Sequence, residues 1–220
     1  MAELVRVFLD ANILAKPLTR TLIIVGAPLS GFVPVWSERS LEEADRHLGS
    51  EKTPVADLAR RFGWAIGPTG SVAGRFAKTD SSDRQLLADA GAAAASYLVS
   101  EDVDDFDESD LISVGISAVN PDLFLSERLT ADAYQEALET IGRNRQHPPS
   151  TPEEIHAALG RNHPLLAKRF ESTYATRVAV RVQAEPAVVF RGSRCLRCAT
   201  ILASPSGLER GLGTECRASQ

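Results

Sequence analysis

The sequence predicts an α/β fold, with a mostly parallel sheet covered by helices on both faces. Short apolar runs without a polar face, such as Val5–Leu9 and residues 96–100, have the length and composition of buried strands. Segments of helical length separate these runs, and strands joined by helices form parallel sheets through crossover connections. The 220 residues, 44% hydrophobic and 24% charged, are enough for one such core and a small appendage.

Capping residues and prolines set the boundaries of the elements in the first 128 residues. Pro34 lacks an N–H group, which favours an edge position for its strand, and Ser37 is a typical N-cap. The predicted elements, in chain order, are a strand at 5–9, a helix at 16–26, an edge strand at 32–36, a helix opened by Ser37, a helix from Thr53-Pro54 to about Arg61, a strand at 63–68, a helix at 83–95 capped by Ser82, strands at 96–100 and 116–119, and a helix opened by Asn120-Pro121.

The pattern changes after residue 128. Three helices are predicted at 130–145, 151–159 and 164–172, and Thr151 with Glu154 forms a capping box at the start of the second. From residue 177 apolar residues alternate with polar ones, which predicts two short strands. We therefore expect a core domain at 1–128, a helical extension at 129–176 and a small β and cysteine-containing tail at 177–220.

Charge is distributed unevenly along the chain. Residues 161–220 hold ten Lys and Arg against four Asp and Glu, whereas residues 1–160 hold fourteen against twenty-five. An acidic body with a basic tail is typical of a cation-binding centre joined to an arm for a polyanion, although a solvated basic face would have the same composition. An acidic start, with no apolar run of membrane-spanning length, leads us to expect a cytoplasmic protein without a membrane partner.

Four acidic residues fall where the predicted elements converge. Asp10 and Asp102 each follow a buried strand, Asp83 begins a helix, and Glu43 lies on the helix after the second strand. Carboxylates this close repel one another by about 4 kcal/mol per pair at an effective dielectric constant of about 20. A divalent cation relieves that repulsion, and oxygen ligands favour Mg²⁺ or Mn²⁺. Taken singly, Asp10 and Asp83 also suit helix starts, and Glu43 suits a solvated helix face.

The order and spacing of these acids resemble the PIN-domain family of metal-dependent ribonucleases, which includes toxins of type II toxin–antitoxin pairs. The segments that carry the resemblance are FLDANIL (8–14), WSERSLEEADRHL (36–48), DSSDRQLLADAGAAAASYLVSEDVDDF (80–106) and VNPDLFL (119–125). The third is the most specific, because it combines an acid at a helix start, a small-residue helix, a hydrophobic strand and Ser-x-Asp-x-Asp.

The resemblance implies a site, a reaction and partners. Its metal ligands and catalytic residues would be Asp10, Glu43, Asp83 and Asp102, with Asn12, Ser100 and Asp104 in supporting positions. The expected reaction is hydrolysis of RNA phosphodiester bonds with Mg²⁺ or Mn²⁺. The expected partners are RNA, a cognate antitoxin protein and a second copy of the chain. The choice of Glu43 over Glu42 stays open at this point. Five basic residues near these acids are candidate phosphate contacts: Lys16, Arg20, Arg39, Lys78 and Arg84.

Two other functions are consistent with part of the pattern. A haloacid-dehalogenase-type phosphatase also has an aspartate after its first strand, but Asn12 occupies the position of that family's general acid. A non-catalytic PIN-like RNA-binding or scaffold protein would keep the fold without holding metal.

The tail contains the only three cysteines of the chain, at positions 195, 198 and 216. Cys195 and Cys198 form a C-x₂-C pair, and Gly211 and Gly213 precede Cys216, as in short zinc-binding-like tails of bacterial and phage proteins. We expect one structural Zn²⁺ on Cys195, Cys198 and Cys216. The fourth ligand is open among His163, His156, water and another chain, and three free or buried thiols remain the alternative.

Overall fold

The computed structural model of the chain describes residues 5–48, 54–62, 66–144 and 150–174. Four strands and eleven helices lie in these ranges. The strands are β1 (Val5–Leu9), β2 (Phe32–Val35), β3 (Tyr97–Val99) and β4 (Ser117–Val119). The helices are α1 (Ala11–Leu14), α2 (Pro17–Ser30), α3 (Glu38–His47), α4 (Val55–Phe62), α5 (Arg84–Ala92), α6 (Glu108–Val114), α7 (Pro121–Arg128), α8 (Ala131–Asn144), α9 (Pro152–Leu159), α10 (Pro164–Arg169) and α11 (Glu171–Tyr174).

The strands form one sheet in the order β2-β1-β3-β4, and every pair is parallel. In the centre of the sheet, Phe8 of β1 pairs with Leu98 of β3, which in turn pairs with Ala118 of β4. The predictions of a parallel sheet and of an edge position for Pro34 are confirmed, because β2 is an outer strand. The carboxyl ends of all four strands consequently lie along one edge.

Side chains alternate between the two faces of this sheet. Val7 and Leu9 of β1 belong to one hydrophobic cluster, together with residues of α2, α7 and α8. Phe8 of β1 belongs to a second cluster, with residues of α5 and α6. Because successive strand residues point to opposite faces, β1 is buried on both faces at residues 7–9, which explains why these three residues are all apolar. Among the described residues, no helix is long and apolar enough to cross a membrane.

The helices after residue 128 pack on the same cluster as the sheet. Tyr134 of α8 stacks on Phe170 with ring centroids 4.4 Å apart, and its hydroxyl lies 2.9 Å from Nδ1 of His156. The capping box of α9 is present, with Thr151 Oγ1 accepting from the N–H of Glu154 and Glu154 accepting from that of Thr151. The domain boundary at residue 128 stays a prediction.

Several elements differ from those predicted. The helices α1 and α6 were not among the predicted elements, because four and seven residues are too few to show a helical period. Asp83, rather than Ser82, is the N-cap residue of α5, and the predicted helix at 164–172 is divided between α10 and α11. Residues 66–68 of the predicted strand at 63–68 are not in a strand, while 63–65 lie outside the described residues, as do the strands predicted after 177.

Candidate functional site

Two of the predicted acids, Asp10 and Asp102, follow the neighbouring strands β1 and β3 at their carboxyl ends. The chain leaves β1 for β2 on one side, while β3 lies on the other, so this is the point where strand order reverses and where open α/β sheets place their ligands. Asp10 follows β1 and donates its N–H to the Val99 carbonyl oxygen at 3.1 Å. Ser100 follows β3 and donates its N–H to the Val119 carbonyl oxygen at 3.1 Å. The strand ladder thus continues into the site and fixes its backbone.

Asp10 is the N-cap residue of α1 and is hydrogen-bonded through both carboxylate oxygens. Its Oδ1 accepts from the N–H of Ala11 at 2.6 Å, and its Oδ2 accepts from the Ser100 hydroxyl at 2.6 Å. Burial raises the pKa of Asp10 to about 6 against the opposing effect of these bonds, and the charges of Asp83 and Glu43 raise it further. Asp10 therefore caps a helix and faces the other acids at the same time.

Asn12, Ser100 and Asp102 form a second part of the network. The side-chain amide of Asn12 donates to the Ser100 Oγ and to the Asp102 Oδ2, both at 3.2 Å. Ser100 Oγ also accepts from the N–H of Asp102 at 3.1 Å. The Asn12 Oδ1 is buried and has no hydrogen-bond partner among the described residues. Asn12 and Ser100 therefore orient the carboxylates of Asp10 and Asp102, and their supporting role in a metal site stays a prediction.

Asp83 reaches the site from the start of α5. The Ser82 hydroxyl lies 2.7 Å from its Oδ2 and 2.8 Å from the Oδ1 of Asp80. Burial raises the pKa of Asp83, and the charges of Asp80, Glu43 and Asp102 raise it further, while the Ser82 hydrogen bond lowers it. The pKa of Asp83 is thus raised by an acid of its own loop and by acids from two other segments of the chain.

Glu43 and Glu42 occupy different sides of α3. The charge of Glu43 raises the pKa of both Asp10 and Asp83, so its carboxylate faces the acidic edge. Glu42 is exposed and lines a groove between α3 and α4. The geometry therefore favours Glu43 over Glu42 as the fourth acid.

Two acids that the sequence reasoning missed belong to the same group. Burial raises the pKa of Asp105, followed by the charges of Asp83, Asp102, Asp80 and Asp104. Residues 103–105 form a 3₁₀ turn, in which side chains three positions apart align, so Asp102 and Asp105 lie on the same side. Asp80 and Asp83 are also three positions apart, and the N–H of Asp83 donates to the Asp80 carbonyl oxygen at 3.0 Å. Asp104, the predicted supporting acid, precedes Asp105 in the chain and is exposed.

The donor set fits a hard divalent cation in its chemistry. Asp10, Glu43, Asp83 and Asp102 present only carboxylate oxygens, the ligands that Mg²⁺ and Mn²⁺ prefer. Within the described ranges, however, no three His, Cys, Asp or Glu side chains stand close enough to form a ready group of metal ligands. A cation bound here would therefore have to draw these carboxylates closer together than they stand in the structure.

Of the predicted phosphate contacts, Arg20 is wrong. Its side chain is buried, and its Nη1 donates to the Leu14 carbonyl oxygen. Lys16 forms an ion pair with Glu101, next to Asp102, and Arg39 Nη2 lies 3.4 Å from the Ser82 carbonyl oxygen. The remaining two also bond to protein groups: Lys78 Nζ to Ser109 Oγ at 3.2 Å, and Arg84 to two carbonyl oxygens of residues 77 and 79.

Both histidines considered for zinc lie in the packed core. His163 is 3% exposed, with its Nε2 2.9 Å from Thr19 Oγ1, and His156 bonds to Tyr134. Their burial argues against either as the fourth ligand. Cys195, Cys198 and Cys216 lie outside the described residues.

A groove of about 600 Å³ runs along the outer strand β2 and carries no comparable chemistry. Apart from Arg6, its lining residues are uncharged, among them Phe32, Val33 and Ile66. Comparisons with protein-family models, with curated proteins and with solved structures found no match to this chain. Inferences about function therefore rest on the sheet edge itself.

Proposed function

We propose that the chain is a divalent-metal-dependent ribonuclease of the PIN type, hydrolysing phosphodiester bonds of RNA with Mg²⁺ or Mn²⁺. The observation that carries this proposal is the hydrogen-bonded arrangement of Asp10 and Asp102 around Ser100 and Asn12. The charges of Glu43 and Asp83 act on the same edge, since both raise the pKa of Asp10. Neighbouring carboxylates without a counter-ion repel one another, and a bound cation would offset that repulsion.

The fold supports the same proposal. A four-stranded parallel sheet with helices on both faces is compatible with a PIN-like domain. The acids lie where strand order reverses, the position that open α/β sheets use for ligands. The edge is also exposed at Asp102 and Asp105, which suits a polymer better than an enclosed small molecule.

The residues of the chain would divide the chemistry among them. A divalent cation held by Asp10, Glu43, Asp83 and Asp102 would supply a Lewis acid for the scissile phosphate and a more acidic water. Ser100 fixes Asp10 by donating to its Oδ2, and Asn12 fixes Asp102 by donating to its Oδ2. Because its pKa is raised to about 6, Asp10 is mostly deprotonated at neutral pH and free to bind a cation. Below about pH 6 a proton competes with the cation for the same carboxylate.

RNA and an antitoxin enter as partners through the resemblance to PIN toxins. Lys16 pairs with Glu101, the neighbour of Asp102, and Arg39 contacts the carbonyl oxygen of Ser82, the neighbour of Asp83. These two basic side chains are therefore the best candidates for contacts to substrate phosphates. We include in the proposal a structural Zn²⁺ held by the cysteine tail. The basic tail would then add contacts to the RNA backbone.

The test is cleavage of labelled single-stranded RNA by the full chain with Mn²⁺. We expect cleavage by the wild type, none in chelator, and none by Asp10→Asn or Asp102→Asn. Asp57→Asn is the matched control, because Asp57 is exposed on α4 and pairs with Arg60. Equal activity of the wild type and Asp10→Asn would contradict the proposal.

A second candidate is a PIN-like protein that binds RNA without cleaving it. It is favoured by the absence of a ready group of three metal ligands among the described residues. RNA binding that is equal in Mn²⁺ and in chelator, with intact RNA in both, would identify this function. A haloacid-dehalogenase-type phosphatase is disfavoured, because Asn12 donates its amide to Ser100 and Asp102 and has no acidic proton to transfer.

A further inference from the structure

The loop before α5 is held by a buried carboxylate that belongs to neither strand end. Asp110 of α6 is only 9% exposed, and its Oδ2 accepts from the N–H groups of Lys78 at 3.1 Å and Thr79 at 2.8 Å. Two consecutive backbone donors of the loop thus meet one oxygen of a side chain thirty-one positions or more away.

The next residue of the same loop extends this connection to the acidic edge. The N–H of Asp80 donates to the Asp105 carbonyl oxygen at 2.9 Å. In the reverse direction, the N–H of Asp107 donates to the Oγ1 of the buried Thr79 at 3.3 Å. With the bond from Lys78 Nζ to Ser109 Oγ, five hydrogen bonds join the segments 78–80 and 105–110. The loops that carry Asp83 and Asp102 are therefore fixed to each other.

Arg84 binds the carbonyl oxygens of the same loop. Its Nε donates to the Thr79 carbonyl oxygen at 3.0 Å, and its Nη2 to the Ala77 carbonyl oxygen at 2.8 Å. Arg84 directly follows Asp83 in the chain. Because Asp110 binds the N–H groups of the loop and Arg84 binds its carbonyl groups, a shift of this loop would move Asp83 as well.

We infer that Asp110 is a positioning residue of the proposed metal centre, which holds Asp83 and Asp80 facing Asp102 and Asp105. The inference rests on the proposed function. Asp110 acts through the backbone of residues 78–80, since its Oδ2 is already bonded to two N–H groups. Removing it leaves two backbone donors without their acceptor and frees the loop to turn the Asp83 carboxylate away from its partners.

Removing Asp110 should act like removing any side chain that orients a metal ligand without binding the metal itself. Such changes lower metal affinity or activity by about 10–100-fold. Asn at position 110 keeps a side-chain oxygen that accepts from the same N–H groups, without the negative charge. Asp110→Asn should therefore retain most of the affinity that Asp110→Ala loses.

The experiment compares three variants of the full chain: Asp110→Ala, Asp110→Asn and Asp107→Ala. Asp107 is the matched control, because its side chain caps α6 by accepting from the N–H groups of Ser109 and Asp110 and makes no hydrogen bond to the loop. Its bond to Thr79 is made by the backbone N–H, which Asp107→Ala keeps. Mn²⁺ affinity is measured by calorimetric titration, and exchange of the Lys78 and Thr79 amides is measured by NMR. Both substitutions to Ala lower stability, so a stability measurement alone would not distinguish them.

For Asp110→Ala we expect amide exchange at 78 and 79 to accelerate about tenfold or more, and Mn²⁺ affinity to fall about 10–100-fold. Asp107→Ala should keep the Mn²⁺ affinity of the wild type, and Asp110→Asn should restore it to within a few-fold. Unchanged Mn²⁺ affinity in Asp110→Ala, or an equal loss in Asp107→Ala, would overturn the inference. A wild type that binds no Mn²⁺ would contradict the proposed function instead. In that case amide exchange still tests the loop: exchange of Lys78 and Thr79 as slow in Asp110→Ala as in the wild type would reject the role of Asp110 in holding it.

Discussion

The hydroxyl of Ser100 donates to the Oδ2 of Asp10 at 2.6 Å and joins the carboxyl ends of β1 and β3. The same oxygen of Ser100 accepts from the side chain of Asn12 and from the N–H of Asp102. One hydroxyl thereby orients two of the four proposed metal ligands.

Replacing Ser100 with Ala should therefore weaken the centre without removing a ligand. The hydrogen bond from Ser100 lowers the pKa of Asp10, so its loss should move that pKa further above 6. We expect Mn²⁺ affinity at neutral pH to fall about 10–100-fold and its pH dependence to shift to higher pH. Calorimetric titrations at several pH values measure both effects. Ser100→Thr keeps the hydroxyl and should stay near the wild type; an equal loss in both variants would count against this role.

Replacing Asp10 with Asn should stabilise the metal-free fold while it abolishes cleavage. Because burial raises the pKa of Asp10 from 3.8 to about 6, the folded state binds this proton more tightly than the unfolded state. The free energy of unfolding therefore falls as pH rises from about 4 to above 6. The variant should lack this loss and gain about 1–3 kcal/mol at pH 7.5 in chelator. Urea unfolding in chelator is the measurement, and a variant no more stable than the wild type would mean that the acids are not closely packed.

His163 provides a pH dependence of the opposite sign. Burial, followed by the charge of Lys16, lowers its pKa to about 4, so the unfolded state binds the proton more readily. Relative to His163→Gln, the wild type should lose about 1–3 kcal/mol of stability as pH falls from 7 to 4.5. The nearest acid is Asp122, whose Oδ1 lies 3.9 Å from Nδ1 of His163. Burial raises the pKa of Asp122 to about 6, so Asp122 also titrates in this pH range and is kept in both proteins of the comparison. Urea unfolding at both pH values tests this, and a difference independent of pH would exclude a neutral buried His163.

How much of the site the sequence predicts depends on the kind of element involved. The position of Asp10 at a strand end was predictable, because residues 7–9 are buried on both faces of the sheet and form an apolar run that ends at the acid. Asp105 was not, because a single 3₁₀ turn brings it beside Asp102 and leaves no periodic pattern in the sequence. The burial of Arg20 was likewise hidden, since it depends on the packing around α2 and not on the local sequence.

Short helices account for most of the remaining differences in the fold. In α6 the only buried apolar residue is Leu111, while Ile112 is 62% exposed, so no apolar stripe marks the helix. Its boundaries were nevertheless present in the sequence as an N-cap at Asp107 and a left-handed Gly115 at the end. The choice between Glu42 and Glu43 required the rotation of α3, which a ten-residue helix with few apolar positions does not define.

The cysteine tail yields a prediction that is independent of the described residues. Cys195, Cys198 and Cys216 should bind one Zn²⁺ per chain. Because so short a segment buries too little apolar surface to fold unaided, the metal should supply most of its folding free energy. Truncation after about residue 190 should leave Mn²⁺-dependent cleavage intact but weaken RNA binding and flatten its salt dependence. Elemental analysis and binding at several salt concentrations are the measurements. Purified protein without zinc, or a truncated chain that binds RNA as well as the full chain, would contradict the prediction.

The most direct measurement of the central claim is an equilibrium Mn²⁺ titration of the metal-free chain. Glu43→Gln and Glu42→Gln are a matched pair, since they remove adjacent charges of α3 that face the acidic edge and the groove beside α4, respectively. We predict Mn²⁺ binding by the wild type and by Glu42→Gln, and a loss of at least about tenfold in affinity for Glu43→Gln. Equal affinities for the two variants, or no binding by the wild type, would contradict the assignment of a metal centre to Asp10, Glu43, Asp83 and Asp102.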